Sequence, residues 1–138
     1  MTVSTQPRPT GHPGYSETLP RKPQSADRAR SLVRTALGVW GLRRAVDDCA
    51  LIVTELVTNA VKHARGPSLR VTVARRGRFV RVAVTDGSRT LPRLRHPSGA
   101  EADGRGLMLV DALADEWGAD LKSWGKSVWA NLDIESSA

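Results

Sequence analysis

The sequence has 138 residues, of which 40% are apolar, which is enough for one globular domain and little more. No apolar run reaches the roughly 20 residues that a transmembrane helix needs. The first residues also lack the apolar core of a secretory signal. A single cysteine, Cys49, excludes an internal disulfide framework and is typical of a reducing compartment. Together these features predict a cytoplasmic protein.

The chain is basic, with 21 Lys and Arg residues against 14 Asp and Glu residues, for a formal net charge of +7. This balance is compatible with nucleic acid, an anionic membrane surface, a phosphate-bearing ligand or an acidic protein partner. The sequence contains no zinc-finger spacing and no basic stretch interleaved with aromatic residues. A basic nucleic-acid-binding domain stays an alternative, for which DNA affinity would fall steeply with salt.

The N-terminal part is predicted to hold a tail, a strand and a helix. Residues 1–14 are rich in proline and glycine and show no apolar periodicity, so we expect a disordered tail. Weak alternation at 15–19 is typical of a short edge strand. Apolar residues at helical spacing then predict a first helix, with Ser25 as its N-cap and Gly41 directly after its end.

A second helix is predicted at 43–64, because its apolar residues form one continuous stripe. The stripe consists of Val46, Cys49, Ala50, Val53, Val57, Ala60 and Ala64. Two strands with alternating apolar residues follow at about 69–73 and 80–84. The turn at Gly77 between them predicts an antiparallel hairpin.

The C-terminal part begins with a polar stretch at 87–104, which predicts a long loop. A third helix is predicted from about Gly106. Residues 117–124 and 127–134 then form a second hairpin across Gly125.

This order of elements predicts an α+β protein, a two-layer sandwich rather than a doubly wound sheet. We expect a mixed, mainly antiparallel sheet with the helices on one face. The folded domain is predicted at 15–134, followed by a short tail at 135–138.

Glu55, Asn59 and His63 lie at i, i+4 and i+8 of the second helix, so they share one face. Taken alone, this is typical of the solvated face of an amphipathic helix. Asn, however, contributes poorly to helix formation. A carboxylate and a carboxamide one turn apart can offer oxygen to a hard cation and a base to a hydroxyl. Since Mg²⁺ usually takes other ligands from phosphates, the pair predicts a phosphate ligand.

The segment 104–107, Gly-Arg-Gly-Leu, lies where the loop enters the third helix. Glycines there let backbone N–H groups approach an anion at the helix N-terminus. The segment is not a P-loop, because no Gly-Lys-Ser/Thr follows. Asp86 ends a strand and is followed by Gly87. This pair is typical of a simple turn. The alternative is that the Asp86 carboxylate lies at the floor of a pocket and accepts a hydrogen bond from an amino group.

Three blocks of this sequence resemble the N, G1 and G2 boxes of the histidine-kinase-like ATPases, the GHKL superfamily with the Bergerat ATP-binding fold. They are ELVTNAVKH at 55–63, VTDGS at 84–88 and GRGLMLV at 104–110. The ending DALADEWGADLKSWGKSVWANL is similar to the small stand-alone members, which are anti-sigma factors with serine/threonine kinase activity and relatives of unassigned role. The resemblance covers about 15–134.

The resemblance implies a Mg-ATP site. Asn59 would coordinate Mg²⁺, Glu55 would be the general base, and Asp86 would bind the adenine amino group beside Gly87. His63 would be structural and pack below the pocket. The remaining implied contacts are a phosphate cradle, two basic side chains and a hydroxyl near the adenine: Gly104, Gly106, Leu107, Lys62, Arg105 and Ser127.

The G1 block departs from the family pattern Asp-x-Gly-x-Gly, because Ser88 and Thr90 stand where glycines are expected. The resemblance implies that 88–103 is the ATP lid. The resemblance also implies that the arginines within this lid, and one just after it, contact the phosphates: Arg89, Arg93, Arg95 and Arg105.

Two functions follow from the resemblance. One is an anti-sigma factor kinase that transfers the γ-phosphoryl group of ATP to a serine or threonine of an anti-anti-sigma partner. The other is a non-catalytic ATP-binding regulator that sequesters a protein partner, such as a sigma factor. Direct contact with nucleic acid or membrane is not expected. A homodimer is expected if Trp40 and the strand near Tyr15 would otherwise expose apolar surface.

Overall fold

The computed structural model describes residues 8–9, 13–91 and 102–134, with side chains described for 13–91 and 107–134. None of the helices in these ranges has the length and apolarity to cross a bilayer. A 3₁₀ turn at Arg43–Ala45 leads into the second helix. The elements are β1 (Arg8–Pro9), β2 (Gly14–Pro20), α1 (Ser25–Val39), α2 (Val46–His63), β3 (Ser68–Arg76), β4 (Phe79–Asp86), α3 (Ala102–Leu113), β5 (Glu116–Leu121) and β6 (Lys126–Asp133).

The strands form one sheet in the order β1-β2-β3-β4-β6-β5. The predicted α+β sandwich is confirmed. In the described part of the chain every strand pairing is antiparallel, so this sheet is not mixed. The helices cover one face: α1 contacts β2 and β3, α2 contacts β4 and β6, and α3 contacts α2 and β5.

The core lies between the helices and the sheet face formed by alternate strand residues. Val71 and Val73 of β3 and Val80 and Val82 of β4 point into it and are almost completely buried. Burying such a side chain contributes about 1.5–3 kcal/mol. The predicted stripe of α2 packs against them, with Val53 at its centre. On the other sheet face, the residues in the described strands are more polar.

The beginning of the first helix differs from the prediction. Gln24 is the N-cap residue, and Ser25 already lies in the helix, where its hydroxyl donates to the carbonyl of Pro20. Ser25 therefore anchors the helix to β2 instead of capping it. Gly41 follows the helix with a φ of 72°, as predicted for a residue after a helix end. Two residues of the predicted tail, Arg8–Pro9, pair with β2.

Trp40 is only half-buried in the chain itself, but it is not an isolated apolar patch. Its ring stacks on Tyr15 with 6.2 Å between the ring centroids, and both residues pack against the core. The contact covers part of the Trp40 ring, while the neighbouring Val39 is exposed, and the homodimer stays a prediction.

The third helix begins at Ala102, four residues earlier than the prediction. Gly104 and Gly106 thus lie within its first turns rather than before them. Glycine disfavours helix by about 1 kcal/mol relative to alanine, but the helix is held by its packing, because Leu107 and Val110 are buried. The middle of the predicted lid, at 92–101, lies outside the described residues.

The single cysteine is expected to be unreactive in the folded protein. Burial, with a smaller effect of the Asp48 charge, raises the pKa of Cys49 from 9.0 to about 12. The neutral thiol is favoured in the fold, so its contribution to stability is present below pH 9 and is lost as the pH rises towards 12. Iodoacetamide at pH 8 should label the native protein far more slowly than the guanidinium-unfolded protein. Equal labelling rates would contradict this prediction.

Candidate functional site

Glu55 and Asn59 lie one turn apart on α2, and both are half-buried. Thr54 marks the side of α2 that faces α1, since its hydroxyl oxygen accepts from Arg30 Nη1 at 3.0 Å. With 3.6 residues per turn, Glu55 and Asn59 project away from that side. These two polar groups therefore lie on a side of α2 that is turned away from α1, and α3 packs against α2 as well.

Asp86 closes β4 on the helix-covered face of the sheet and is buried. Its Oδ1 accepts from the backbone N–H of Ser88 at 2.8 Å and from Lys126 Nζ at 3.0 Å. The same ammonium donates to the carbonyl of Ser88 at 3.2 Å. A buried carboxylate and a buried ammonium are thus paired at the end of β4, and both hold the turn that follows.

Three chain segments converge on this turn. An ideal Cβ at Gly125, before β6, would lie 2.0 Å from the carbonyl oxygen of Asp86. An ideal Cβ at Gly87 would lie 3.5 Å from the carbonyl oxygen of Arg65, just beyond α2, and 3.9 Å from that of Trp124. The contacts at Gly87 are ordinary van der Waals contacts, whereas the approach of Gly125 to Asp86 leaves no space for a Cβ. The ends of α2 and β4 and the start of β6 therefore meet at this turn.

The residues predicted to contact phosphate lie at the end of α2 and at the start of α3. The backbone of 104–106 lies in the first turns of α3, while the Leu107 side chain is buried and anchors the helix in the core. Lys62 and His63 lie in the last turn of α2 and are exposed. The expectation that His63 packs below a pocket is wrong, because it lies off the buried stripe that ends at Ala64.

The arginines expected to meet phosphates are only partly described. Arg89 is exposed, and its Nε donates to the carbonyl of Lys122 at 2.9 Å. Arg93 and Arg95 lie outside the described residues, and so does the side chain of Arg105.

Ser127 does not share a face with Asp86. Successive strand residues point to opposite faces, and Ser127 pairs with Thr85 while Lys126 pairs with Asp86. The Thr85 hydroxyl donates to the Ser127 hydroxyl at 3.2 Å. The structure therefore places Ser127 on the helix-free face, and the residue that meets Asp86 is its neighbour Lys126.

Lys126 was missed by the sequence analysis, which also took Gly125 only for a hairpin turn, although a signal for Lys126 was present. In β6 it is in phase with the buried residues Val128, Ala130 and Leu132. A lysine in an apolar phase is rarely buried without a partner. Asp86, which is in phase with the buried valines of β4, was the natural candidate for that partner.

The donor set of this region fits a magnesium-bound phosphate ligand. Among the described residues, no group of three or more His, Cys, Asp or Glu side chains could hold a metal ion. Glu55 and Asn59 offer oxygen atoms one turn apart, so a hard cation held there would draw further ligands from phosphates and water. The first turns of α3 supply backbone N–H groups for such an anion.

A cleft of about 280 Å³ lies elsewhere, between β2 and α1. Its polar floor contains Glu17, whose Oε1 accepts from Arg28 Nε at 2.7 Å. The carboxylate of this cleft is therefore already neutralised, and it contains none of the predicted site residues. We place the candidate site at the ends of α2 and β4.

Residues 19–131 match the family described as the histidine kinase-like ATPase domain. No curated protein matches the chain significantly. One similar solved structure contains the RsbU and RsbW domains of Rv1364c from Mycobacterium tuberculosis, with 21% identity and a TM-score of 0.67. The similarity covers 87% of this chain and 32% of that one.

A second similar structure is the histidine kinase domain of the blue-light activated histidine kinase EL346 from Erythrobacter litoralis. It has 21% identity and a TM-score of 0.51, over 86% of this chain and 63% of that one. Our chain thus spans less than two thirds of either, and at this identity the likeness shows the fold alone. The family match covers most of the sequence, and the chain therefore belongs to the histidine kinase-like ATPase domain family.

Proposed function

We propose that this protein binds Mg-ATP between α2, the end of β4 and the start of α3, and that it is a protein serine/threonine kinase. The observation that carries the proposal is the half-buried pair Glu55 and Asn59, one turn apart on a helix against which α3 packs, in a domain where Asp86 is buried at the end of β4. The proposed substrate is a serine or threonine of an anti-anti-sigma protein, a partner class that follows from the resemblance to stand-alone anti-sigma factors. A solved neighbour that contains an RsbW domain supports it.

Each residue of the site would hold a different part of the nucleotide. Asn59 would bind Mg²⁺ through its amide oxygen, and Asp86 would accept from the adenine amino group. The backbone N–H groups at the start of α3 would bind phosphate oxygens. Mg²⁺, when bound, would neutralise part of the phosphate charge.

Glu55 would act on the attacking hydroxyl group. Its carboxylate would take the proton from a serine or threonine hydroxyl of the partner while that oxygen bonds to the γ-phosphorus. The bond between the γ-phosphorus and the β,γ-bridging oxygen would break, and ADP would leave. Phosphoryl transfer depends mainly on positioning and electrostatics, which a half-buried carboxylate one turn from Asn59 can provide.

A phosphorylation assay tests the catalytic part of the proposal. Purified protein is incubated with Mg²⁺, γ-labelled ATP and candidate anti-anti-sigma proteins, beside Glu55→Gln and Asp47→Asn. Glu55→Gln should lower transfer by about 10²- to 10⁴-fold, the usual contribution of a general base, with ATP affinity nearly unchanged. Asp47→Asn removes an exposed charge from the first turn of the same helix and should leave both unchanged.

The outcomes separate the two candidate functions. If ATP binds but no partner is labelled, the kinase proposal is wrong and the protein is a non-catalytic ATP-binding regulator. One observation favours this alternative. Ser88 stands where the G1 block has a glycine, and its buried hydroxyl accepts from the backbone N–H of Thr90 at 3.2 Å, which closes the turn. If ATP does not bind, both candidate functions fail.

A further inference from the structure

The base end of the proposed site contains two charged groups rather than one. Asp86 and Lys126 have side chains that are 1% and 3% exposed, and 3.0 Å separates Oδ1 from Nζ. A buried ammonium is costly unless it is paired and hydrogen-bonded. A structural role would be satisfied by the ion pair alone, which joins the end of β4 to the start of β6.

Asp86 and Lys126 can each make at least one hydrogen bond beyond those they make to described residues. Both described contacts of the Asp86 carboxylate end on Oδ1. A carboxylate has two acceptor oxygens, so Oδ2 is the one that a ligand would use. An ammonium has three donors, and the described contacts of Lys126 use two of them, on Asp86 and on the carbonyl of Ser88. Within the described part of the chain, one acceptor oxygen and one N–H donor are therefore left without a protein partner, on two groups that are in contact.

This combination matches one edge of adenine. The exocyclic amino group is a donor, and the adjacent ring atom N1 is an acceptor. We propose that Lys126 is a base-reading residue that donates to N1 of adenine while Asp86 accepts from the amino group, an inference that rests on the proposed ATP binding. In the same orientation guanine would present an acceptor to the carboxylate and an N–H to the ammonium. Guanine would thus be disfavoured by both groups, because an acceptor would face the carboxylate and a donor would face the ammonium.

The test removes the acceptor N1 from the nucleotide and, separately, the donor Lys126 from the protein. Affinities for Mg-ATP and for 1-deaza-ATP, in which a C–H group replaces N1, are measured by calorimetry. The wild-type protein should prefer ATP by roughly 10- to 100-fold, the equivalent of a hydrogen bond to a charged group. Lys126→Met should bind the two nucleotides equally. Lys122→Met, at the exposed tip of the same hairpin, should keep the wild-type preference.

A purely structural role gives a different pattern. In that case the wild-type protein binds both nucleotides equally and Lys126→Met weakens both alike, which overturns the inference while ATP binding stands. Wild-type protein that binds neither nucleotide overturns the proposed function and this inference together. If Lys126→Met does not fold, the wild-type comparison still decides, and Lys126→Arg, which keeps the ion pair but moves the donors, should show a smaller preference.

Discussion

Replacing Asn59 by alanine is expected to weaken Mg-ATP binding by roughly 10- to 100-fold, the equivalent of one lost contact to a charged group. The fold should survive, since alanine is a better helix former than asparagine and Asn59 is only half-buried on α2. The measurement is thermal unfolding with and without Mg-ATP. A ligand at 100 times its Kd stabilises the native state by about 2.7 kcal/mol, so the wild-type Tm should rise clearly and that of the variant should rise much less.

The adjacent residue provides the control for this variant. Thr58 is also half-buried on α2 but projects from a different side of the helix. Thr58→Ala should keep the Tm increase with Mg-ATP. A normal Mg-dependent increase in Asn59→Ala would remove Asn59 from the site, and with it the central residue of the proposed function.

Replacing Gly125 by alanine is expected to be among the most destabilising single changes in the chain. The added Cβ would lie 2.0 Å from the Asp86 carbonyl oxygen and 3.0 Å from the Gly87 Cα. Both neighbours are backbone atoms, so no side-chain rotation can relieve the overlap. Overpacking of this kind costs about 3 kcal/mol or more, and the Tm should fall by about 10 °C. Thermal unfolding followed by circular dichroism measures this change.

Gly38 supplies the matched control, because it lies in α1 with nothing within 4 Å of an added Cβ. Gly38→Ala should leave the Tm unchanged or raise it slightly, since alanine gains about 0.5–1 kcal/mol over glycine in a helix. A Gly125→Ala protein as stable as Gly38→Ala would show that the turn after β4 does not need this close approach. Any surviving Gly125→Ala protein should also bind nucleotide more weakly, because Asp86 would be displaced.

Much of the fold could be predicted from the sequence because the signals are local. Alternating valines marked β3 and β4, and Gly77 marked the turn between them, where it adopts a φ of 58°. Gly41 marked the end of α1 for the same reason. Each of these signals acts within a few residues, so no knowledge of the packing was needed.

The incorrect predictions concern residues whose role depends on packing. Ser25 has the side chain of an N-cap residue, but the carbonyl of Pro20 is the partner that the fold provides. The glycines at 104 and 106 indicated a loop, yet buried Leu107 holds a helix through them. His63 belonged to a recognised block, but its position on α2 leaves it exposed.

The half of the candidate site that lies on α2 could be predicted from local sequence alone. Glu55 and Asn59 are one turn apart in any α-helix, so their spacing alone places them on a common face. The other half was decided by the tertiary structure. Asp86 and Lys126 are 40 residues apart and meet only because β6 pairs with β4, while β5 lies at the sheet edge. Strand order and register result from packing of the whole chain, and they select Lys126, not Ser127, as the residue that faces Asp86.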